Sequence, residues 1–218
     1  MRTYNHIINN LKTQISFGES EMGVYIFTPE DLLRYGTITK HQLEVIKESI
    51  LKKEDILVVG TSRAGKTKLI EAMIHLIPEE WKIAVITAYG EFKPFKKNIH
   101  VIDTEFNEKS TKNRTEEVIE DIKKLSPDYV VIDTLHTIDI PYLLDKIIDD
   151  YPFIISSLVL SRDLIGEIKH WLRIDDKSIA RFELVIELYR DIKSGLRRVN
   201  AIYRVVQKEG KIELEKVA

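Results

Sequence analysis

At 218 residues the chain has the length of one domain, or of one domain with a small appendage, and needs no disulfide or metal staple to hold a core. Its 44% hydrophobic and 31% charged residues describe an ordinary globular protein rich in charge, and the net charge of -2 makes no bulk electrostatic case for DNA or an anionic membrane. There is no cysteine, so disulfides, thiol catalysis and cysteine-ligated metal are excluded.

No apolar run approaches the roughly 18 residues of a membrane helix. The start, Met1-Arg2-Thr3-Tyr4-Asn5-His6, leads into no signal-like apolar segment. The expectation is a cytoplasmic protein whose membrane contact is at most peripheral. Abundant Ile, Lys and Glu lean towards a thermophilic source.

In chain order, residues 1–27 read as a short extension, with a helix around Tyr4–Leu11 and a brief strand at Val24–Phe27. Residues 28–218 read as the main domain. Thr28-Pro29-Glu30-Asp31 is a helix start, with a capping hydroxyl, a first-turn proline and acids suited to the dipole. Thr39 begins another helix, with Leu43, Ile46 and Ile50 at helical spacing.

Strands and helices then alternate. Apolar strands are expected at Asp55–Val59, Ile83–Thr87, Ile99–Ile102, Tyr129–Ile132 and Phe153–Leu158. Helices are expected at Lys66–Leu76, Thr115–Leu125, around Tyr142–Ile148 and at Asp163–Leu172. Strands that are apolar on both faces and separated by helices imply an α/β fold, a mainly parallel sheet covered on both sides. The end differs: Phe182–Tyr189, Arg198–Val206 and Lys211–Leu214, joined by turns at Lys193-Ser194-Gly195 and Glu209-Gly210, read as an antiparallel meander.

Between the first buried strand and its helix lies Gly60-Thr61-Ser62-Arg63-Ala64-Gly65-Lys66-Thr67, which matches the P-loop pattern Gly-x4-Gly-Lys-Ser/Thr. The spacing matters because loop amides and the helix N-terminus converge on a polyphosphate. Glycines at positions 60 and 65 permit backbone geometry that a Cβ would obstruct. Lys66 is expected to reach the β- and γ-phosphates of ATP, and the Thr67 hydroxyl to ligate Mg²⁺. Arg63 occupies a variable position, with a solvated and a phosphate-facing role both open.

A P-loop needs a second acid on a neighbouring strand. Tyr129-Val130-Val131-Ile132-Asp133 supplies one, and Asp133 is the candidate for Mg²⁺ or its water, against the plainer reading of a turn aspartate. Thr134 follows where many ATPases carry a glutamate that orients the attacking water. Glu91, beyond the strand Ile83–Thr87, is the replacement general base, with a solvated loop glutamate as the competing reading. His100 and His136 lack metal-ligand spacing, and Asn113-Arg114-Thr115 reads as a helix start rather than a glycosylation site.

Beyond the P-loop, ordered segments resemble the type II/type IV secretion ATPases, RecA-like motors of secretion systems, pili and conjugation. They are Phe27-Thr28-Pro29-Glu30-Asp31-Leu32-Leu33 with Gly36-Thr37-Ile38, Glu91-Phe92, Leu125-Ser126-Pro127-Asp128, Arg162-Asp163 and Gly195-Leu196-Arg197-Arg198-Val199. The resemblance implies a RecA-like domain, a homo-oligomer such as a hexamer, and contact with a membrane-bound secretion or pilus complex. It also implies that Lys66, Glu91 and Asp133 serve catalysis, and makes Arg162, Arg197 and Arg198 candidates by position to act across a subunit interface, against the plainer reading of each as a surface or salt-bridge residue.

The departures are local. Asp133-Thr134 replaces Gly-Glu, Thr87 and Ala88 replace acids, and Val159 stands where a histidine is usual. The family's N-terminal domain is cut to residues 1–27. Two readings follow: a reduced motor ATPase that drives macromolecular assembly or transport, or a nucleotide-binding regulatory or structural subunit with weak or no hydrolysis. A small-molecule kinase shares the P-loop but not the C-terminal Arg-Arg segment.

Overall fold

In the computed structural model, which describes residues 18–19, 25–88, 90, 92–104, 114–133 and 138–218, the apolar strands sort their side chains by parity. Ile56 and Val58 of strand β3 (Ile56–Gly60) face one core layer, and Leu57 and Val59 face the other. The same alternation runs through β4 (Ile83–Thr87) and β6 (Tyr129–Ile132). A strand buried on both faces has no solvent side, which is why these segments carry no polar alternation.

The first layer holds α1 (Pro29–Arg34), α2 (Lys40–Leu51) and α3 (Lys66–Leu76), contributing Leu32, Ile46, Ile50, Leu69 and Met73. The second holds α4 (Arg114–Leu125), α5 (Ile140–Ile147) and α6 (Leu164–Leu172), contributing Val118, Ile122, Leu143, Ile147 and Ile168. Both expected helix starts are capping boxes, Thr28 with Asp31 and Thr39 with Gln42, and each satisfies amides that the helix leaves orphaned.

The sheet is eight-stranded in the order β10-β9-β8-β3-β7-β6-β4-β5. Here β5 is Ile99–Asp103, β7 Phe153–Leu158, β8 Leu184–Arg190, β9 Arg197–Lys208 and β10 Lys211–Lys216. β3 pairs in parallel with both β7 and β8, and β9 then runs antiparallel to β8 and β10. This is the expected parallel α/β sheet with a C-terminal antiparallel meander. A separate two-stranded sheet joins β1 (Gly18–Glu19) to β2 (Tyr25–Ile26).

Several boundaries differ from the expectation. Asp55 precedes β3, Phe182 precedes β8, and α7 (Asp176–Ile179), capped by Asp175, has no counterpart in the apolar periodicity because it is a single turn. His100 lies within β5. The helix expected at Tyr4–Leu11, Asn113 and His136 lie outside the described residues.

Asp55 has a task of its own at the amino edge of the sheet. Its Oδ1 accepts from the Phe153 amide at 3.1 Å, and its own amide donates to Glu183 Oε2 at 2.6 Å. Burial pushes the Asp55 carboxyl up to about 7; the Phe153 hydrogen bond and Arg181 oppose that rise, and the Glu183 carboxylate adds to it. Because the folded-state value lies above the ordinary 3.8, the folded chain holds a proton that the unfolded chain releases. Stability from this group is therefore complete below that ordinary value and is lost as pH rises through about 7. Burial also raises Glu183, so its contribution has the same sign.

Asp55→Asn keeps an acceptor for Phe153 and removes the charge. It is expected to match the wild type at about pH 4 and to exceed it by about 1–3 kcal/mol at about pH 8 in urea unfolding. Equal stabilities at both pH values would contradict the assignment.

Candidate functional site

Parallel pairing puts the carboxyl ends of β3, β4, β6 and β7 on one edge of the sheet. Ligands of open α/β sheets bind at that edge. The P-loop leaves it directly from β3 into α3, as the sequence pattern predicts.

The two glycines of the loop are constrained differently. A Cβ on Gly60 would lie 2.7 Å from the Leu188 carbonyl oxygen, because Gly60 is paired with Leu188 of the adjacent β8. Gly65 sits at φ 100° as the N-cap of α3, a left-handed conformation that disfavours a side chain. Between them Arg63 adopts φ 61°, and Ala64 is fully buried and anchors the loop to the core. Arg63 itself is exposed, as are Thr61 and Ser62.

Lys66 Nζ donates to the Gly60 and Thr61 carbonyls at 3.1 and 3.0 Å, which holds the ammonium at the loop. Burial lowers its pKa, and the Asp133 carboxylate partly offsets that. Thr67 follows on the first turn of α3 and is half-buried.

Asp133 stands just past the end of β6, its amide bonded to the Ile86 carbonyl of β4 at 3.0 Å. Its Oδ1 accepts from the Ser156 hydroxyl of β7 at 2.9 Å. Sequence reasoning missed Ser156; its only signal was a pair of serines, Ser156 and Ser157, inside an otherwise apolar strand. The hydroxyl of Thr67 and the carboxylate of Asp133 are hard oxygen donors, which fit a Mg²⁺ held jointly with phosphates.

The loop after β4 is tied down beside this edge. The Gly90 amide donates to Asp103 Oδ2 at 2.8 Å, and the Thr104 amide and hydroxyl both donate to the Thr87 carbonyl. Glu91, the candidate base, lies outside the described residues, as does Thr134. Thr87, Ala88 and Val159, which stand where the secretion ATPases carry acids and a histidine, are all buried.

A cavity of about 280 Å³ opens beside the loop, with Gly65, Lys68, Phe27, Tyr35 and Leu196 among its walls. One wall is fixed by a buried carboxylate on the P-loop helix. Glu71 accepts from Lys68 Nζ at 2.8 and 2.9 Å and from the Phe27 amide at 3.4 Å, and Lys68 also donates to the Tyr25 carbonyl. The Phe27 ring contacts Tyr25 edge-on at 4.8 Å and tilts towards Tyr35 at 6.0 Å. The opposite wall comes from the 191–196 turn, whose Lys193-Ser194-Gly195 reads in sequence as a plain hairpin. Parallel pairing of β8 with β3 brings it to the P-loop.

Of the arginines proposed to act across an interface, Arg162 is exposed in the loop after β7, and Arg198 faces a separate cavity with Tyr189 and Asp191. Arg197 lies against this chain's own P-loop, its Nε donating to the Arg63 carbonyl at 3.0 Å.

Comparison with solved structures gives a likeness to the VirB11 ATPase of the Brucella suis type IV secretion system, solved with sulphate. It has a TM-score of 0.58 and 13% identity over 74% of this chain and 53% of that one. The Legionella pneumophila ATPase DotB matches at TM-score 0.47 and 14% identity, over 76% of this chain and 49% of that one. The first likeness shows a shared mixed α/β, RecA-like fold, with the present chain spanning about half of the VirB11 structure.

Among curated proteins, the Uncharacterized protein MJ1287 of Methanocaldococcus jannaschii is 36% identical over 70 residues. That match covers 32% of this chain and 26% of the relative, so the chain spans about a quarter of its length. Among the described residues no helix is long and apolar enough to cross a membrane. A family model described as Uncharacterised conserved protein UCP018868 matches residues 22–217, nearly the whole length, and the chain belongs to that family.

Proposed function

We propose that this chain is a P-loop ATPase that binds ATP with Mg²⁺ at the carboxyl edge of its sheet and hydrolyses it to drive macromolecular assembly or transport. The observation that supports this most is the P-loop running from β3 into α3 at the carboxyl edge of the sheet, with Lys66 Nζ held on the Gly60 and Thr61 carbonyls and an apolar cavity opening at Gly65 beside it. The base of the nucleotide enters the cavity between Phe27, Tyr35 and Leu196, and the phosphates lie in the loop from Gly60 to Thr67.

Each residue then has a role. The ammonium of Lys66 turns from the Gly60 and Thr61 carbonyls to the β- and γ-phosphates, where it offsets developing charge. Thr67 and Asp133 would hold Mg²⁺, which would supply charge neutralisation at the phosphate oxygens. Ser156 keeps the Asp133 carboxylate oriented through its hydrogen bond. Glu91, on the loop that Asp103 anchors through Gly90, takes the proton from the attacking water.

The VirB11 likeness motivates the wider reading, in which copies of the chain form a ring and work at a membrane-bound secretion or pilus complex. In that reading residues 28–218 are the motor domain. A second reading is favoured by the buried Thr87, Ala88 and Val159, which supply no catalytic group. In it the chain binds ATP and regulates or scaffolds an active partner.

Steady-state phosphate release separates the two. Turnover that falls by roughly a hundredfold or more in Lys66→Ala and in Glu91→Gln supports the ATPase. Tight ATP binding with turnover at background supports the regulatory subunit.

A further inference from the structure

The side chain of Arg197 lies where the phosphate loop meets the cavity. Its Nε donates to the Arg63 carbonyl at 3.0 Å, and its Cδ lies 3.1 Å from where a Cβ on Gly65 would be. It also lines the cavity that Gly65 and Lys68 open into. Arg198, the next residue on the same strand, points to the other side, as strand alternation requires, and faces Asp191. Among the described residues no carboxylate forms an ion pair with Arg197. Its exposed guanidinium is thus held by a single carbonyl at the mouth of the apolar-walled cavity beside the P-loop.

We propose that Arg197 is a nucleotide contact supplied in cis, its guanidinium lying against the nucleoside end of a nucleoside di- or triphosphate bound to the same chain. A planar guanidinium suits this position because it stacks on a base face and still offers N–H donors to ribose oxygens. Acting instead on a neighbouring subunit would require Arg197 to release its own P-loop. Leu196 and Arg197 are adjacent, so the C-terminal meander carries one wall of the site and its cation together. Nucleotide occupancy would then bear on the 191–196 turn, a direct link between the P-loop and the surface-exposed Ile192.

This inference rests on the nucleotide-binding reading above, and the test separates the two. Fluorescent N-methylanthraniloyl-ADP is titrated by anisotropy against the full chain, at concentrations where light scattering gives the monomer mass. Tripolyphosphate serves as a competitor that has no nucleoside. Arg197→Ala is expected to weaken ADP binding by roughly tenfold, with Arg197→Lys between it and the wild type. Tripolyphosphate affinity should change less than about threefold, because the phosphate loop is left intact.

Unchanged ADP affinity in Arg197→Ala would overturn the proposal. So would equal losses for ADP and tripolyphosphate, which would mark a role in shaping the loop. Recovery of binding on mixing Arg197→Ala with Lys66→Ala chains, at higher concentrations where light scattering gives an oligomer mass, would overturn it in favour of action across subunits. A wild type that binds neither ligand would remove the nucleotide reading itself, and this proposal with it.

Discussion

Lys66→Ala is expected to lower ATP affinity by on the order of 10- to 100-fold, the worth of a charge-assisted contact to phosphate. The melting temperature should stay within about 2 °C of the wild type. The two expectations separate because Lys66 is a poor contributor to stability where it stands. Burial lowers its pKa, and its partners are two loop carbonyls, with no carboxylate among the described residues bonded to it. Removing it relieves that desolvation while leaving the P-loop backbone to Ala64, which is buried in the core. A variant that unfolds, or that binds ATP as the wild type does, would contradict this account of the lysine.

Gly60→Ala should have the opposite profile, a large loss of stability. The added methyl would meet the Leu188 carbonyl oxygen at 2.7 Å, the Ala64 Cβ at 3.2 Å and the Leu188 Cβ at 3.3 Å. The closest of these is backbone of a paired central strand, so the clash is relieved only by moving β8 away from β3. Overpacking of this kind costs about 2–3 kcal/mol. For a chain of this size that corresponds to a drop of roughly 5–10 °C in melting temperature. Gly36→Ala is a useful reference, because a Cβ there meets nothing within 4 Å and the cost is confined to its φ of 65°. Similar losses at the two positions by calorimetry would show that close approach to β8 is not what constrains Gly60.

The parts of the molecule that sequence revealed share a physical basis. Runs such as Ile56–Val59 and Tyr129–Ile132 are apolar at every position because both faces of the strand are covered. Helix α3 could be placed residue for residue, since the P-loop pattern sets its start and Pro78 its stop. Thr28 and Thr39 announced their helices through side chains that bond the amides three residues on.

What escaped sequence reasoning depends on strand order, which local pattern does not encode. Lys193-Ser194-Gly195 reads as an ordinary turn until β8 is paired in parallel beside β3. Phe27 is fixed as a wall of the cavity by Glu71, a buried acid on an apolar helix whose partners lie 44 and 3 residues away, and Tyr35 joins it through a ring contact at 6.0 Å. Ser156 and Asp133, 23 residues apart, meet because β6 and β7 are neighbours. Asp55 looked like the first residue of a strand, whereas its carboxylate closes the amino edge of the sheet on Phe153.

Calorimetric titration of ATP into the full chain in the presence of Mg²⁺ tests the central claim most directly. Saturable binding of one ATP per chain is expected, weakened on the order of 10- to 100-fold by Lys66→Ala and weakened again when a bulky side chain at Leu196 fills the cavity. Absence of saturable binding to the wild type, or binding that survives Lys66→Ala unchanged, would contradict it.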